Sequence, residues 1–265
     1  MVGARRQQSL IFPLFLILVG AVTTAGLLVE GGREAWVPLP LFSIVLGAWL
    51  LLLPGQGQVD VGAPAGTSTE ATLELVAGGA ELQVRAFDIA PDLYRGALSF
   101  RGAKPLVRLD RGDVHIAMPH PWWRSLLPEP LTQRAVLVLN RHVRWMVVVR
   151  GDALAGRVDL SRGALRGFSL TGGRGEVQVD LPAPHPVVPV TLESSGMHVV
   201  LTVPDATPVQ LSCERGSWHM DVPEHHGTHA PHLGQRVLTT GTWPAVDRYE
   251  VTLGGSAGHV RVERR

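Results

Sequence analysis

Four histidines lie close together near the end of the chain, in the segment PEHHGTHAPH: His225, His226, His229 and His232. Imidazole is the commonest protein ligand of transition metals, and several imidazoles that converge can bind zinc or nickel. The segment therefore predicts a metal site, which would make the protein a metal-responsive sensor. The flanking Pro, Gly and Thr residues are also typical of a solvated loop, so both interpretations stay open.

A second group of histidines lies in segments where polar and apolar residues alternate. His198, His219 and His259 each stand beside apolar positions of a predicted strand. Alternation places His259, between Gly258 and Val260, on the outer face of its strand. A column of such residues is a candidate proton-sensing stripe. The simpler interpretation is a set of ordinary solvent-facing polar positions.

The segment PHPWWRSLLPEP interrupts the strand pattern and contains Trp122, Trp123 and Arg124. Exposed aromatic residues beside an arginine are typical of a membrane interface or a partner contact. The alternative is a loop that covers the open end of a stack of repeats, since terminal repeats need capping. The sequence favours neither interpretation.

The sequence contains no catalytic motif. It has no Gly-x-Ser-x-Gly, no His-Glu-x-x-His and no phosphate-binding glycine loop ahead of a helix. The single cysteine, Cys213, alternates with Val209 and Leu211, so we expect it to fill space in the core. The formal net charge is +1, which gives no nucleic-acid signature. The sequence predicts a protein with no enzymatic activity and no cofactor.

Short alternating runs dominate the chain after residue 71 and resemble one another. RGDVHIAMP (111–119), RGEVQVDLP (174–182) and RGSWHMDVP (215–223) share one frame. Their glycines and related ones recur at multiples of about 21 residues. Residues 72–265 therefore predict a β-solenoid-like stack in which each unit holds two short strands. An antiparallel sandwich is the alternative, and the sequence does not separate a parallel β-helix from stacked hairpins.

The first part of the chain is apolar and repeats itself. PLFLILVGA (13–21) and PLFSIVLGA (40–48) lie in two uncharged runs that are each long enough to cross a bilayer. Residues 1–54 therefore predict a two-span transmembrane hairpin, with Gly20 and Gly47 where two helices can approach closely. A cleaved signal peptide fits less well, because a second apolar run follows at once. Residues 55–71 predict a flexible linker.

The charges beside the spans predict their orientation. Arg5 and Arg6 precede the first run, whereas the turn between the runs carries Arg33 with two glutamates. The positive-inside rule then places both the N-terminus and the β-repeat domain in the cytoplasm.

Together, the duplicated apolar hairpin and the Gly-x-Val-x-Val-x-Leu-Pro units resemble the LiaF-like cell-envelope stress proteins and the β-repeat domains called "putative adhesin" or "toast-rack". The resemblance implies a bacterial membrane protein that regulates an envelope-stress two-component system by contact with a membrane sensor kinase. It implies no catalytic residues. The tryptophan-containing insertion and the histidine-rich segment depart from the pattern.

The sequence thus supports three functions. The first is a regulator with the lipid bilayer and a sensor kinase as partners. The second is an extracytoplasmic structural or adhesive envelope module, which requires the reverse topology. The third is the metal-responsive sensor. The oligomeric state stays open, and a homo-oligomer is compatible with all three.

Overall fold

The computed structural model describes residues 56–265 apart from 102, 120–132, 223–224, 231–235 and 241–245, together with residues 17, 18 and 44. The chain divides into two compact units, Met1–Gly55 and Gln56–Arg265. The predicted transmembrane hairpin, with Gly20 and Gly47, falls in the first unit and lies outside the described residues except for residues 17, 18 and 44. Within the described part of the chain, no helix has both the length and the apolar character needed to cross a membrane.

The second unit is built from strands. Fourteen described strands form one hydrogen-bonded network. In chain order they are β1 (Gln56–Pro64), β2 (Glu70–Phe87), β3 (Asp92–Arg101), β4 (Leu106–Asp110), β5 (Asp113–Met118), β6 (Gln133–Asn140), β7 (Arg144–Asp159), β8 (Ala164–Asp180), β9 (Val187–Val203), β10 (Val209–Cys213), β11 (Ser217–Val222), β12 (His225–Ala230), β13 (Arg236–Thr240) and β14 (Arg248–Arg264).

The long strands β2, β7, β8, β9 and β14 each change their buried face partway along. In β2, Leu73 and Leu75 are buried before residues 78–79, whereas Leu82 and Val84 are buried after them. Alternate residues of a strand share a face, so a change from odd to even positions means that the strand turns a corner. The other four long strands change at equivalent places. We call the two parts of each strand the N-half and the C-half.

Parallel pairing stacks the long strands in register. The order is β2, β7, β8, β9 and β14, and every neighbouring pair is parallel. Apolar residues therefore line up in rows across the strands and form one hydrophobic core. One such row contains Leu73, Val147, Phe168, Val190 and Val251. This arrangement confirms a mainly β fold and is compatible with the predicted solenoid-like stack.

Glycine is required at corners where the backbones of two successive strands are closely packed. Gly175 has φ +125° and faces the carbonyl oxygen of Leu154 on the preceding strand, and a Cβ would overlap that oxygen. Gly156 has φ +134° and meets the carbonyl of Leu82 in the same way. The recurring glycines of the sequence thus include positions where one coil's backbone touches the next.

The C-terminal strand β14 does not stack in chain order. It pairs along its length with β9, and its other edge pairs in parallel with β10 and β11. In the sheet, β14 therefore lies between β9 and the pair β10 and β11, although it comes after all three in the chain. The sequence repeats indicate the period of the stack but carry no information about this order.

Antiparallel strands end the parallel stack on both sides. On one side β4 pairs with β5. On the same side β3 pairs with β6, and β1 pairs with the other edge of β3. On the other side β13 pairs with β10 and β12 with β11. These strands cover the terminal coils, which otherwise would present the edges of parallel sheet.

The prediction of a linker over 55–71 is wrong for most of that segment. Residues 56–64 form β1, which pairs with β3. Val61 and Ala63 alternate with exposed residues and pack against the core. The alternation of short apolar side chains outweighed the Gly, Pro and Ser content that predicted a linker. The folded domain thus begins at residue 56 instead of residue 72.

Candidate functional site: a row of histidines across four strands

The structure brings histidines from distant parts of the chain into one row. His198 of β9 is the register partner of His259 of β14, and His259 is the partner of His219 of β11. His219 in turn is the partner of His229 of β12. We call this row the histidine ladder. It crosses four adjacent strands at one end of the stack.

Alternation within each strand explains why these side chains share a face. Val199, Val260 and Met220 directly follow the first three histidines, and all three are buried in the core. The histidines therefore face outward, where they are half-buried. In-register pairing then places them side by side.

Strand spacing sets the separation of the rings. The rings of His198 and His259 stack with centroids 4.4 Å apart and planes 9° from parallel. The ring of His219 lies 4.7 Å from that of His259, tilted by 45°. Both separations match the spacing of about 4.8 Å between neighbouring strands. Stacking is thus a consequence of the backbone register.

Packing shields one nitrogen of each ring in the stacked pair. The Nε2 atoms of His198 and His259 are shielded from solvent and have no hydrogen-bond partner among the described residues. A neutral imidazole tolerates one unprotonated nitrogen without a partner, whereas an imidazolium carries an N–H on both nitrogens. A buried N–H without an acceptor costs free energy. Protonation of His259 is therefore unfavourable in the folded state.

Burial also lowers the pKa of His259 below its ordinary value of 6.5. Desolvation is the largest cause, and the neighbouring His198 and His219 act in the same direction, as does Arg261. The carboxylate of Asp221 acts in the opposite direction. The environment of the ring thus disfavours its charged form on balance.

The ladder borders an open depression of about 420 Å³. Small residues, Gly196, Ser217 and Ala257, line it beside the rings. Trp218 lies below, 1% exposed, and its Nε1 donates a hydrogen bond of 3.2 Å to the carbonyl oxygen of Gly254. The depression beside the histidine rings is therefore lined by small side chains and by the buried Trp218.

The predicted metal site is only partly described. His225, His226 and His229 belong to β12 and not to a loop, and their side chains, like all of His232, lie outside the described residues. Across the described part of the chain, no group of three or more His, Cys, Asp or Glu side chains could hold a metal ion. Stacked rings with nearly parallel planes do not direct their nitrogens at one point. Metal binding by the four predicted ligands stays a prediction.

The tryptophan-containing insertion is also outside the described residues, including Trp122, Trp123 and Arg124. The structure shows where it starts and ends. It connects β5 to β6, and buried Gln133 donates a hydrogen bond of 3.0 Å to the carbonyl oxygen of Pro119. Its roles in membrane or partner contact stay predictions.

Cys213 is buried, as expected. It is 4% exposed, and it is the register partner of Leu253 in β14. Burial raises the pKa of its thiol, which reduces its nucleophilicity at neutral pH. The interpretation as a core residue is confirmed.

The sequence pointed to three members of the ladder but not to the fourth. His229 belonged to the predicted metal segment, and no sequence signal linked it to His219. The link depends on β12 folding back antiparallel on β11.

Comparison with known proteins places the fold. No known family matches the chain, and no curated protein matches it. Among solved structures, a "putative cell adhesion protein" from Clostridium sporogenes is similar over 80% of this chain and 100% of its own, with 15% identity and a TM-score of 0.63. A "putative adhesin" from Bacteroides fragilis, 8% identical, covers 78% of this chain and 97% of its own with a TM-score of 0.31. The first likeness shows a shared mainly β fold.

Proposed function

We propose that this protein is a non-enzymatic, membrane-anchored interaction module that contacts a membrane sensor kinase in cell-envelope stress signalling. The apolar hairpin predicted for residues 1–54 would hold it at the bilayer. The β-repeat unit would supply the contact surface. The observation that carries the proposal is a set of outward-facing charged side chains on the N-halves of β2, β7 and β8, joined across strands by ion pairs.

Ion pairs tie this outer face together across strands. Glu70 of β2 pairs with Arg144 of β7 at 3.2 Å and with Arg166 of β8 at 3.0 Å. Glu74 of β2 pairs with Arg150 of β7 at 3.2 Å. Single exposed pairs add little stability, but a network restricts the side chains that form it. A stiff polar face on a repeat scaffold is typical of protein-binding surfaces.

The first test is the side of the membrane. Cys213→Ala removes the native thiol, and Arg162→Cys places a new one in the exposed turn between β7 and β8. Whole cells are treated with a membrane-impermeant maleimide before and after permeabilisation. A cytoplasmic domain would be labelled only after permeabilisation. The matched control, Gly31→Cys in the turn between the two apolar runs, should label in intact cells.

The second test is the partner. Cross-linking in native membranes followed by mass spectrometry should enrich a sensor kinase with the wild-type protein. Arg144→Glu combined with Arg166→Glu should remove that enrichment, because both side chains lie on the N-half outer face. Arg174→Glu, exposed at the start of the C-half of β8, is the matched control and should retain it. Enrichment that is equal in all variants would contradict the proposed surface.

An extracytoplasmic adhesive module is the alternative function. The fold shared with the Clostridium sporogenes protein favours it. It requires that the β-repeat unit lies outside the cytoplasm, so labelling of Arg162→Cys in intact cells would select it over the regulator.

A further inference from the structure

The histidine ladder coincides with the position where β14 completes the stack. Its three described rings belong to β9, β14 and β11, which are the strand inserted last along the chain and its two neighbours. The ladder lies on the C-half of β14, whereas the N-half pairs with β9 and β10 and has no histidine at the equivalent rows. A change in the charge of the ladder histidines therefore affects the C-half of β14 and not its N-half.

The neutral and charged states of the ladder differ in their packing. Two neutral rings stack favourably at 4.4 Å. Two charged rings at that separation repel each other, and each places an N–H at a shielded Nε2 without an acceptor. Neither ring can move away by a rotation of the backbone, because both are held by in-register parallel pairing.

Charged groups around the ladder only partly offset this repulsion. Glu176 of β8 is the register partner of His198, and it is exposed. Asp221 of β11 lies 3.8 Å from Arg261 of β14, and Arg261 also pairs with Glu263 at 3.1 Å. Asp221, the carboxylate that opposes the lowering of the His259 pKa, is thus also ion-paired with an arginine. His219 and the register position of His229 add further titratable groups on the far side.

We propose that the stacked pair His198–His259 is a proton-responsive clasp on the C-half of β14. When the rings are neutral, the C-half is held between β9 and β11. When they are protonated, this half separates locally while the N-half stays paired. The inference goes beyond the proposed function and does not depend on the membrane side or on a kinase.

The direction of the pH effect follows from the sign of the shift. A histidine whose pKa falls on folding binds fewer protons in the folded than in the unfolded state. Its contribution to stability is complete above the ordinary value of 6.5 and is lost as the pH falls below it, until the folded pKa is passed. The clasp should therefore be closed at neutral pH and loosened under mild acid.

Hydrogen–deuterium exchange of the full chain in a non-ionic detergent tests this inference. Exchange rates at about pH 7.5 and about pH 5.5, on either side of the ordinary histidine pKa, are corrected for intrinsic amide chemistry. Peptides covering 257–264 should open more at the lower pH by a factor of roughly three to ten, whereas peptides covering 248–255 and 70–87 should change little.

Variants assign the effect to the stacked pair. His259→Gln should remove most of the acid-induced opening, because it removes the ring whose pKa burial lowers. His198→Gln should reduce the opening to a smaller extent, because desolvation of His259 and the neighbouring His219 both remain. His115→Gln is the matched control: it removes an outward histidine from β5, and the opening should persist. No acid-induced opening in the wild type, equal opening across the whole stack, or undiminished opening in both ladder variants would each overturn the inference. None of these outcomes bears on the labelling and cross-linking tests of the proposed function.

Discussion

At the scale of single residues, small side chains act by making room for large ones. Gly258 of β14 is the register partner of Trp218 of β11, and the tryptophan ring occupies the space where a side chain at residue 258 would lie. Trp218 is among the largest fully buried side chains of the core. The glycine beside His259 thus serves packing, and its φ is not in the left-handed region. Gly258 thus leaves the space that the Trp218 ring fills beside the histidine ladder.

Gly258→Ala should therefore destabilise the protein by overpacking, by about 1–3 kcal/mol. Thermal unfolding of the purified chain would show this as a lower Tm. The matched control is Gly254→Ala in the same strand, where the nearest atom to a new Cβ is the flexible Cγ of Glu193 at 3.4 Å. An equal decrease in Tm for both variants would contradict this explanation, because only Gly258 adjoins the Trp218 ring.

At the scale of elements, stability depends on rows of apolar residues that continue from strand to strand. Leu192 of β9 lies between Leu170 of β8 and Leu253 of β14, and each of the three is at most 1% exposed. Each inward residue contacts the strand on either side, so a cavity in the middle of a row removes contacts from both neighbours.

Leu192→Ala should cost about 2–5 kcal/mol of unfolding free energy, the range for a large-to-small change in a packed core. Thr191→Ala, one residue earlier and on the outer face, should change it by less than about 0.5 kcal/mol. Chemical denaturation of the two variants would measure the difference. Similar losses at 191 and 192 would contradict the assignment of inner and outer faces.

Sequence reasoning succeeded where a pattern is local and failed where pairing is distant. Strand content, the period of about 21 residues and the burial of Cys213 all follow from alternation and glycine spacing. The corner positions of Gly156 and Gly175 were visible as repeated glycines. The insertion of β14 was not visible, because a strand's partners depend on contacts between segments far apart in the chain.

The candidate site shows the same limit. The outward position of His259 was predicted from alternation, whereas the faces of His198 and His219 were not assigned. Their stacking required the registers between β9, β14 and β11. The extent of the folded unit was misjudged for a different reason: β1 is an edge strand with glycine and proline at its ends, and its alternation is short.

At the scale of the whole molecule, the N-terminal apolar runs and the β unit meet at residue 56. We expect the start of β1 to mark the shortest chain that keeps the fold, because β1 pairs with the edge of β3. The membrane anchor, if it is formed as predicted, ends immediately before the first folded strand.

A chain that starts at residue 56 should be recovered in the soluble fraction after carbonate extraction, whereas the full chain should stay with the membranes. A chain that starts at residue 66 lacks β1 and leaves the edge of β3 unpaired, so we expect it to aggregate. Size-exclusion chromatography separates these outcomes. A monodisperse protein starting at residue 66 would show that β1 is dispensable, as the linker prediction required.

The late position of β14 in the chain has a consequence for biosynthesis. β11 ends at Val222 and β14 begins at Arg248, so β10 and β11 leave the ribosome before the strand that joins them to β9. Most of the polypeptide is synthesised before β14 can fill the position between β9 and β10. The pairing of β14 with β9 then joins segments that are distant in sequence. Nascent chains should therefore stay protease-sensitive until the last residues leave the exit tunnel. A premature stop close to the C-terminus would then be as harmful as one much earlier.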